Sequence, residues 1–148
     1  MPLNILIVEA PYYAEIADEL ARGAIAALEE AGAGFERLEV PGALEIPPVI
    51  AMATEAGRYD GYVALGCVIR GETSHYDIVA GESARALMDL AVERGQAIGN
   101  GILTVDTGEQ AKARASVEGK NKGRDAAQAC LRLIEVREKF PRNPVRPE

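Results

Sequence analysis

The sequence has no tryptophan, a single histidine and two cysteines, and aromatic side chains make up only 5% of its 148 residues. Two separated thiols and one imidazole cannot supply the four Cys or His ligands of a structural zinc site, so no metal is expected. Cys67 and Cys130 lie in different apolar runs and read as buried free thiols. No stretch approaches the roughly 18 uninterrupted apolar residues needed to cross a bilayer. Met1–Ala10 carries no basic segment, and its apolar run is broken by Asn4 and Glu9. Neither a membrane partner nor a secretion signal is expected, which points to the cytoplasm. Positive charge is scarce too. Sixteen Lys and Arg against 23 Asp and Glu leave a net charge of -7, which speaks against a sequence-independent nucleic-acid partner. Repeats of 20–50 residues and low-complexity tracts are absent.

What remains is 48% apolar and 26% charged, enough for one ordinary core. The expected domain covers 1–140, followed by a tail over 141–148 marked by Pro141, Pro144 and Pro147 with Arg142 and Arg146. Short β-branched runs alternate with longer helical patterns. Strands are expected over Asn4–Glu9, Phe35–Val40, Gly61–Val68 and Ile98–Val105. The third of these carries no charge, so both its faces should be buried. Helices are expected over Ala14–Ala31, Glu45–Glu55, Asp77–Arg94 and Lys122–Lys139. A short helix capped by Asp106 or Thr107 should end near Ala115. Pro47 and Pro48 fit only because they fall in a first turn. Strands separated by helices imply parallel pairing through right-handed crossovers. The expected class is therefore α/β: a three-layer α/β/α sandwich on a four-stranded parallel sheet with flavodoxin-like winding. Ligands of such sheets gather at the carboxyl ends of the strands. That directs attention to Ala10–Tyr13, Pro41–Glu45, Ile69–His75 and the segment after Val105.

Familiar chemistries of this architecture are missing. The turn Glu9-Ala10-Pro11-Tyr12-Tyr13 is neither a dinucleotide fingerprint nor a P-loop. It is also not the hydroxyl- and glycine-rich phosphate loop of a flavodoxin. Gly-x-Ser-x-Gly is absent, as are the strand-end aspartates of a phospho-acceptor domain. The informative stretch is Ile69-Arg70-Gly71-Glu72-Thr73-Ser74-His75-Tyr76-Asp77, a glycine-containing loop running into a helix. Backbone amides and the helix dipole at such a place suit an anion, above all a phosphate. Thr73 and Ser74 can cap the helix or donate to phosphate oxygens. His75, the one imidazole, could act there as a base or proton shuttle, or be merely structural.

Together, Val40–Pro47, Leu65–Asp77, Gly101–Ala111 and Asn121–Gly123 resemble the 6,7-dimethyl-8-ribityllumazine synthase family of riboflavin biosynthesis, in its order and spacing over about residues 4–139. The resemblance implies condensation of 5-amino-6-(D-ribitylamino)uracil with 3,4-dihydroxy-2-butanone 4-phosphate, through an imine, loss of phosphate and ring closure. It implies no metal and no cofactor. Matched residue by residue, it assigns Tyr12 to stacking on the pyrimidine and Ala43, Leu44 and Glu45 to the ribityl chain. Cys67, Val68 and Ile69 would flank the pyrimidine. Glu72 and Thr73 would hold the butanone phosphate through their backbone, and Arg114 would grip it. His75 would be the proton shuttle, and Asn100 and Lys122 would lie by the pyrimidine.

The sequence departs from common family patterns at Leu44, where Trp is frequent, and at Asn100, where aromatics are common. It also departs at Pro11-Tyr12-Tyr13 and Gly119-Lys120. Asn100 lies near the start of its strand and the other loops at strand ends, about 15 Å away at ~3.3 Å per residue. One subunit should not bring them all to one small ligand. A site shared between neighbouring copies would solve this, and the resemblance implies a homo-oligomer, at least a pentamer, and raises association with riboflavin synthase. Two other readings stay open on the sequence: a non-catalytic flavin- or lumazine-binding or shell-forming homologue, and a flavodoxin-like electron carrier.

Overall fold

The structure, a computed structural model, describes residues 2–141. Most of the expected tail, 142–148, lies outside the described residues. In chain order the elements are β1 (Asn4–Glu9), α1 (Ala14–Glu30), β2 (Gly34–Glu39), a 3-10 turn (Ala43–Glu45), α2 (Ile46–Ala56), β3 (Gly61–Ile69), α3 (His75–Glu93), β4 (Ile98–Val105), α4 (Gly108–Ala115) and α5 (Lys122–Glu138). The four strands pair in parallel in the order β2-β1-β3-β4. That is the sandwich and winding anticipated from the alternation of strand and helix patterns.

Strand periodicity sorts the core into two sides. Ile5 and Ile7 of β1 face α1 and α5 with Val63 and Leu65 of β3, and Leu20, Ala24, Leu28, Ala127 and Cys130 pack over them. Leu6 and Val8 point the other way, onto Ile46 and Ile50 of α2 and Leu87 of α3. β3 is buried on both faces, as its lack of charge requires. β2 lies at the sheet edge and is mostly exposed. Among the described residues no helix is long and apolar enough to cross a membrane.

Helix boundaries shift slightly for local reasons. α2 begins at Ile46 rather than Glu45, because Ala43–Glu45 closes a tighter 3-10 turn ahead of it. Its two prolines stay in the first turn, where a missing N–H costs little. α3 begins at His75, two residues earlier than its apolar spacing suggests. The His75 N–H donates to Thr73 Oγ1 at 3.3 Å, an ST-type turn that lets the helix start at once. Of the two caps possible for α4 the structure uses Thr107, whose Oγ1 accepts from the Gln110 N–H at 3.1 Å.

α1 and α5 cross in close contact because Gly123 has no side chain there. A Cβ on Gly123 would be driven into the Leu20 carbonyl of α1, which is backbone and cannot step aside. Gly99 has the same role between β4 and α5, where a Cβ would enter the Ala126 carbonyl. Asn121 takes a left-handed backbone (φ 47°) just before α5, and its amide lies over Gly23 of α1. Gly123→Ala should lower the urea unfolding free energy by about 1–3 kcal/mol or more through overpacking. An unchanged denaturation midpoint would show that the two helices can separate freely.

Candidate active site

Three connections converge at the carboxyl end of the sheet. Ala10, Tyr12 and Tyr13 come from the link after β1, and Pro41, Gly42, Ala43 and Glu45 from the link after β2. Cys67, Val68 and Ile69 end β3, and His75 and Val79 open α3. They line a cavity of about 400 Å³. Its floor is a small apolar cluster of Ala43, Val68 and Val79, backed by Tyr76 and Ile102. Tyr12 stands 76% exposed at this cavity, with the Tyr13 ring edge-on at 4.9 Å. The segment after Val105 contributes nothing to this wall, contrary to one of the four expectations for the strand ends.

The loop that opens α3 is tied down by Arg70. Its backbone N–H donates to the Val105 carbonyl at 2.9 Å, binding the end of β3 to the end of β4. The guanidinium donates to Asp106 Oδ1 at 2.9 Å, faces Asp77 at 3.5 Å and lies 4.2 Å from the centre of the Tyr76 ring. The pairs are exposed, so each alone is worth little. Together they connect β3, β4 and the first turn of α3 on both sides of Gly71–Ser74.

A second cavity, of about 420 Å³, runs along β4 and α5, lined among others by Asn100, Thr104, Arg114, Lys122 and Asp125. It shares no lining residue with the first. Its polar groups have local partners. Arg114 Nη1 donates to the Gln110 carbonyl at 3.1 Å, Lys122 Nζ faces Asp125 at 3.4 Å, and Asn100 Oδ1 accepts from the Ile102 N–H at 2.9 Å.

The residues singled out in the sequence thus fall into two groups. Tyr12, Ala43, Glu45, Cys67, Val68, Ile69 and His75 line the first cavity. Asn100, Arg114 and Lys122 line the second. Leu44, Glu72 and Thr73 are exposed and line neither. Tyr13, Pro41 and Gly42 were not singled out, although they belong to the segments flagged as strand ends. Their signal lay in the topology, and for Tyr13 in the pairing of two of only five tyrosines. The cysteines need one correction. Both are free, but only Cys130 is buried, whereas Cys67 is half-buried in the cavity wall. Among the described residues no cluster of three or more His, Cys, Asp or Glu could hold a metal ion.

A parallel sheet flanked by helices on both faces, with a partly apolar cavity at its strand ends and a few converging polar groups, defines a small-molecule enzyme of flavodoxin-like winding. The model of the 6,7-dimethyl-8-ribityllumazine synthase family matches residues 2–138. A curated protein of that name from Methylorubrum populi is 59% identical over 97% of this chain and 88% of its own length. Others of the same name come from Agrobacterium fabrum (57%; 93% and 96% covered) and Bartonella tribocorum (55%; 95% and 93% covered). The chain belongs to the 6,7-dimethyl-8-ribityllumazine synthase family.

Burial raises the Cys67 thiol to about 11. A free thiol near 9 is about 1% thiolate at neutral pH, and this one is far less ionised. Iodoacetamide should therefore label Cys67 at least about tenfold more slowly than a peptide thiol at pH 8. The rate should keep climbing until the pH passes about 11. Rapid labelling at neutral pH would mean that the cavity wall is open to water.

Proposed function

We infer that this chain condenses 5-amino-6-(D-ribitylamino)uracil with 3,4-dihydroxy-2-butanone 4-phosphate to 6,7-dimethyl-8-ribityllumazine, releasing phosphate and water. The observation that carries the reading is the pairing of family membership over nearly the whole chain with a cavity built in part from two of the segments that carry the resemblance, Val40–Pro47 and Leu65–Asp77. The non-catalytic and electron-carrier alternatives are not favoured, since the close relatives bear the enzyme's name.

In this reading Tyr12 offers its exposed ring to the pyrimidine, and Val68 and Ile69 flank the heterocycle at the end of β3. Ala43, Leu44 and Glu45 take the ribityl chain, Glu45 as an acceptor for its hydroxyls. The ketone phosphate sits at the mouth of α3, held by backbone amides of Glu72 and Thr73 and favoured by the helix dipole. The amine attacks the ketone carbon and the carbinolamine loses water to an imine. A proton leaves C3 as the C4–O bond to phosphate breaks, the phosphate departs with the bonding pair, and the enol left behind tautomerises to a ketone at C3. Attack of the second amine on that new carbonyl, with loss of a second water, closes the ring. Each step moves a proton, and His75 at the cavity wall is the group to carry it. Arg114, with a forked guanidinium, grips the phosphate, while Asn100 and Lys122 approach the pyrimidine.

Arg114, Asn100 and Lys122 line a different cavity from His75 within one chain. A neighbouring copy that lays its β4 edge across the strand ends would unite the two sets. Support for such contact lies in β4, an edge strand, and in Ile78, Met88 and Val92 of α3, which are 55%, 63% and 71% exposed. Apolar side chains left open along one helix favour association. The assembly proposed is a homopentamer or a multiple of it. Cytoplasmic location, expected from the sequence, and association with riboflavin synthase, implied by the resemblance, belong to the same reading.

Purified protein given both substrates should release phosphate and form the fluorescent product in step. Substrates left unchanged by correctly folded protein would overturn the assignment. Arg114→Ala should raise KM for the ketone phosphate about tenfold or more while sparing KM for the pyrimidine. Refolding equal amounts of impaired His75→Ala and Arg114→Ala chains together should restore wild-type activity, assayed at ketone phosphate below its KM, at about a quarter of the sites, as random pairing in a ring requires. No recovery in the mixture would place both groups in one subunit's site.

A further inference from the structure

Tyr12 is 76% exposed and sits on the short link between β1 and α1, so its own backbone surroundings do little to hold the ring. Among the described residues its one aromatic contact is Tyr13, with ring centroids 4.9 Å apart and planes at 83°. That is the edge-to-face geometry that the quadrupoles of two rings favour. Tyr13 differs from its neighbour in being anchored. It is the residue just before α1, and its carbonyl accepts the Ala17 N–H at 2.9 Å, which fixes its backbone to the first helical turn. Its ring is half-buried and lines the same cavity as Cys67 and His75. Burial raises its phenol above the usual value, with the Cys67 thiol and the Tyr12 hydroxyl adding to the effect, so the ring stays uncharged at neutral pH.

We propose that Tyr13 is a positioning residue for the pyrimidine substrate, holding the exposed Tyr12 ring edge-to-face so that a planar heterocycle meets a preset stacking surface. The proposal rests on the reading of Tyr12 as that surface. Preorganisation of this kind spares the entropy of fixing a mobile ring at the moment of binding. The phosphate grip lies on other segments, so the effect should fall on the pyrimidine alone.

The test uses the full-length assembled enzyme with Tyr13→Leu, which removes the ring, and Tyr13→Phe, which keeps it. Binding of 5-amino-6-(D-ribitylamino)uracil alone is measured by calorimetry, and KM and kcat are measured with both substrates. Tyr13→Leu should weaken pyrimidine binding and raise its KM about three- to tenfold, the size of one edge-to-face pair. The ketone-phosphate KM and kcat should hold, and Tyr13→Phe should restore binding. In a Tyr12→Ala background the Leu substitution should add nothing, since its effect passes through the missing ring. Additive losses, equal losses in kcat, or failure of Tyr13→Phe to restore binding would each overturn the proposal. Wild-type protein that binds the pyrimidine while Tyr13→Leu matches it overturns this proposal only. Wild-type protein that binds no pyrimidine overturns it together with the reading beneath.

Discussion

Parallel pairing of β1 with β3 is the constraint from which the site follows. With Ile5 opposite Gly61 and Glu9 opposite Leu65, both strands point to the same side of the sheet, where β3 runs on to Ile69, and the following connections leave from that side. Ala10 is held across the gap by its N–H, which donates to the Leu65 carbonyl at 2.9 Å. Pro41–Glu45 arrives at the same edge from β2, whose last residue pairs with Glu9. The cavity is the volume those connections leave above the sheet, and its width is set by backbone hydrogen bonds.

At that edge β1 ends in a carboxylate. Glu9 is 3% exposed, and Arg37 of β2 meets it through two bonds, Nε to Oε2 at 2.6 Å and Nη2 to Oε1 at 2.8 Å. A buried carboxylate without such a partner would be strongly destabilising, whereas the two-pronged pair satisfies both oxygens. The geometry also ties the last turn of the edge strand to β1, immediately before the link that carries Tyr12. Rigid scaffold and cavity-lining loop meet at one ion pair.

Much of the fold was legible because its signals are local. β3 declared its double burial through an unbroken apolar run, and the paired prolines marked where α2 starts. The flaws have local causes of another kind: the Thr73 hydroxyl starting α3 two residues early, and the 3-10 turn absorbing Glu45. The site was legible as motifs but not as geometry. His75 and Cys67 could be named, yet nothing in their spacing says that Tyr13 shares their cavity or that Arg70 reaches Asp106. Such contacts join residues dozens of positions apart and depend on crossover handedness and side-chain direction. Gly123 was visible only as part of a motif, and its steric reason is the carbonyl of Leu20 on another helix.

The half-buried thiol of Cys67 carries a chemical implication. The ketone that the cavity is inferred to receive is an electrophile, and a thiolate can add to it reversibly. A cysteine in that wall is a rival to the incoming amine. Burial that pushes the Cys67 thiol up to about 11 disfavours the thiolate and so weakens the rival, while the neutral sulfur keeps a polarisable surface on the cavity wall.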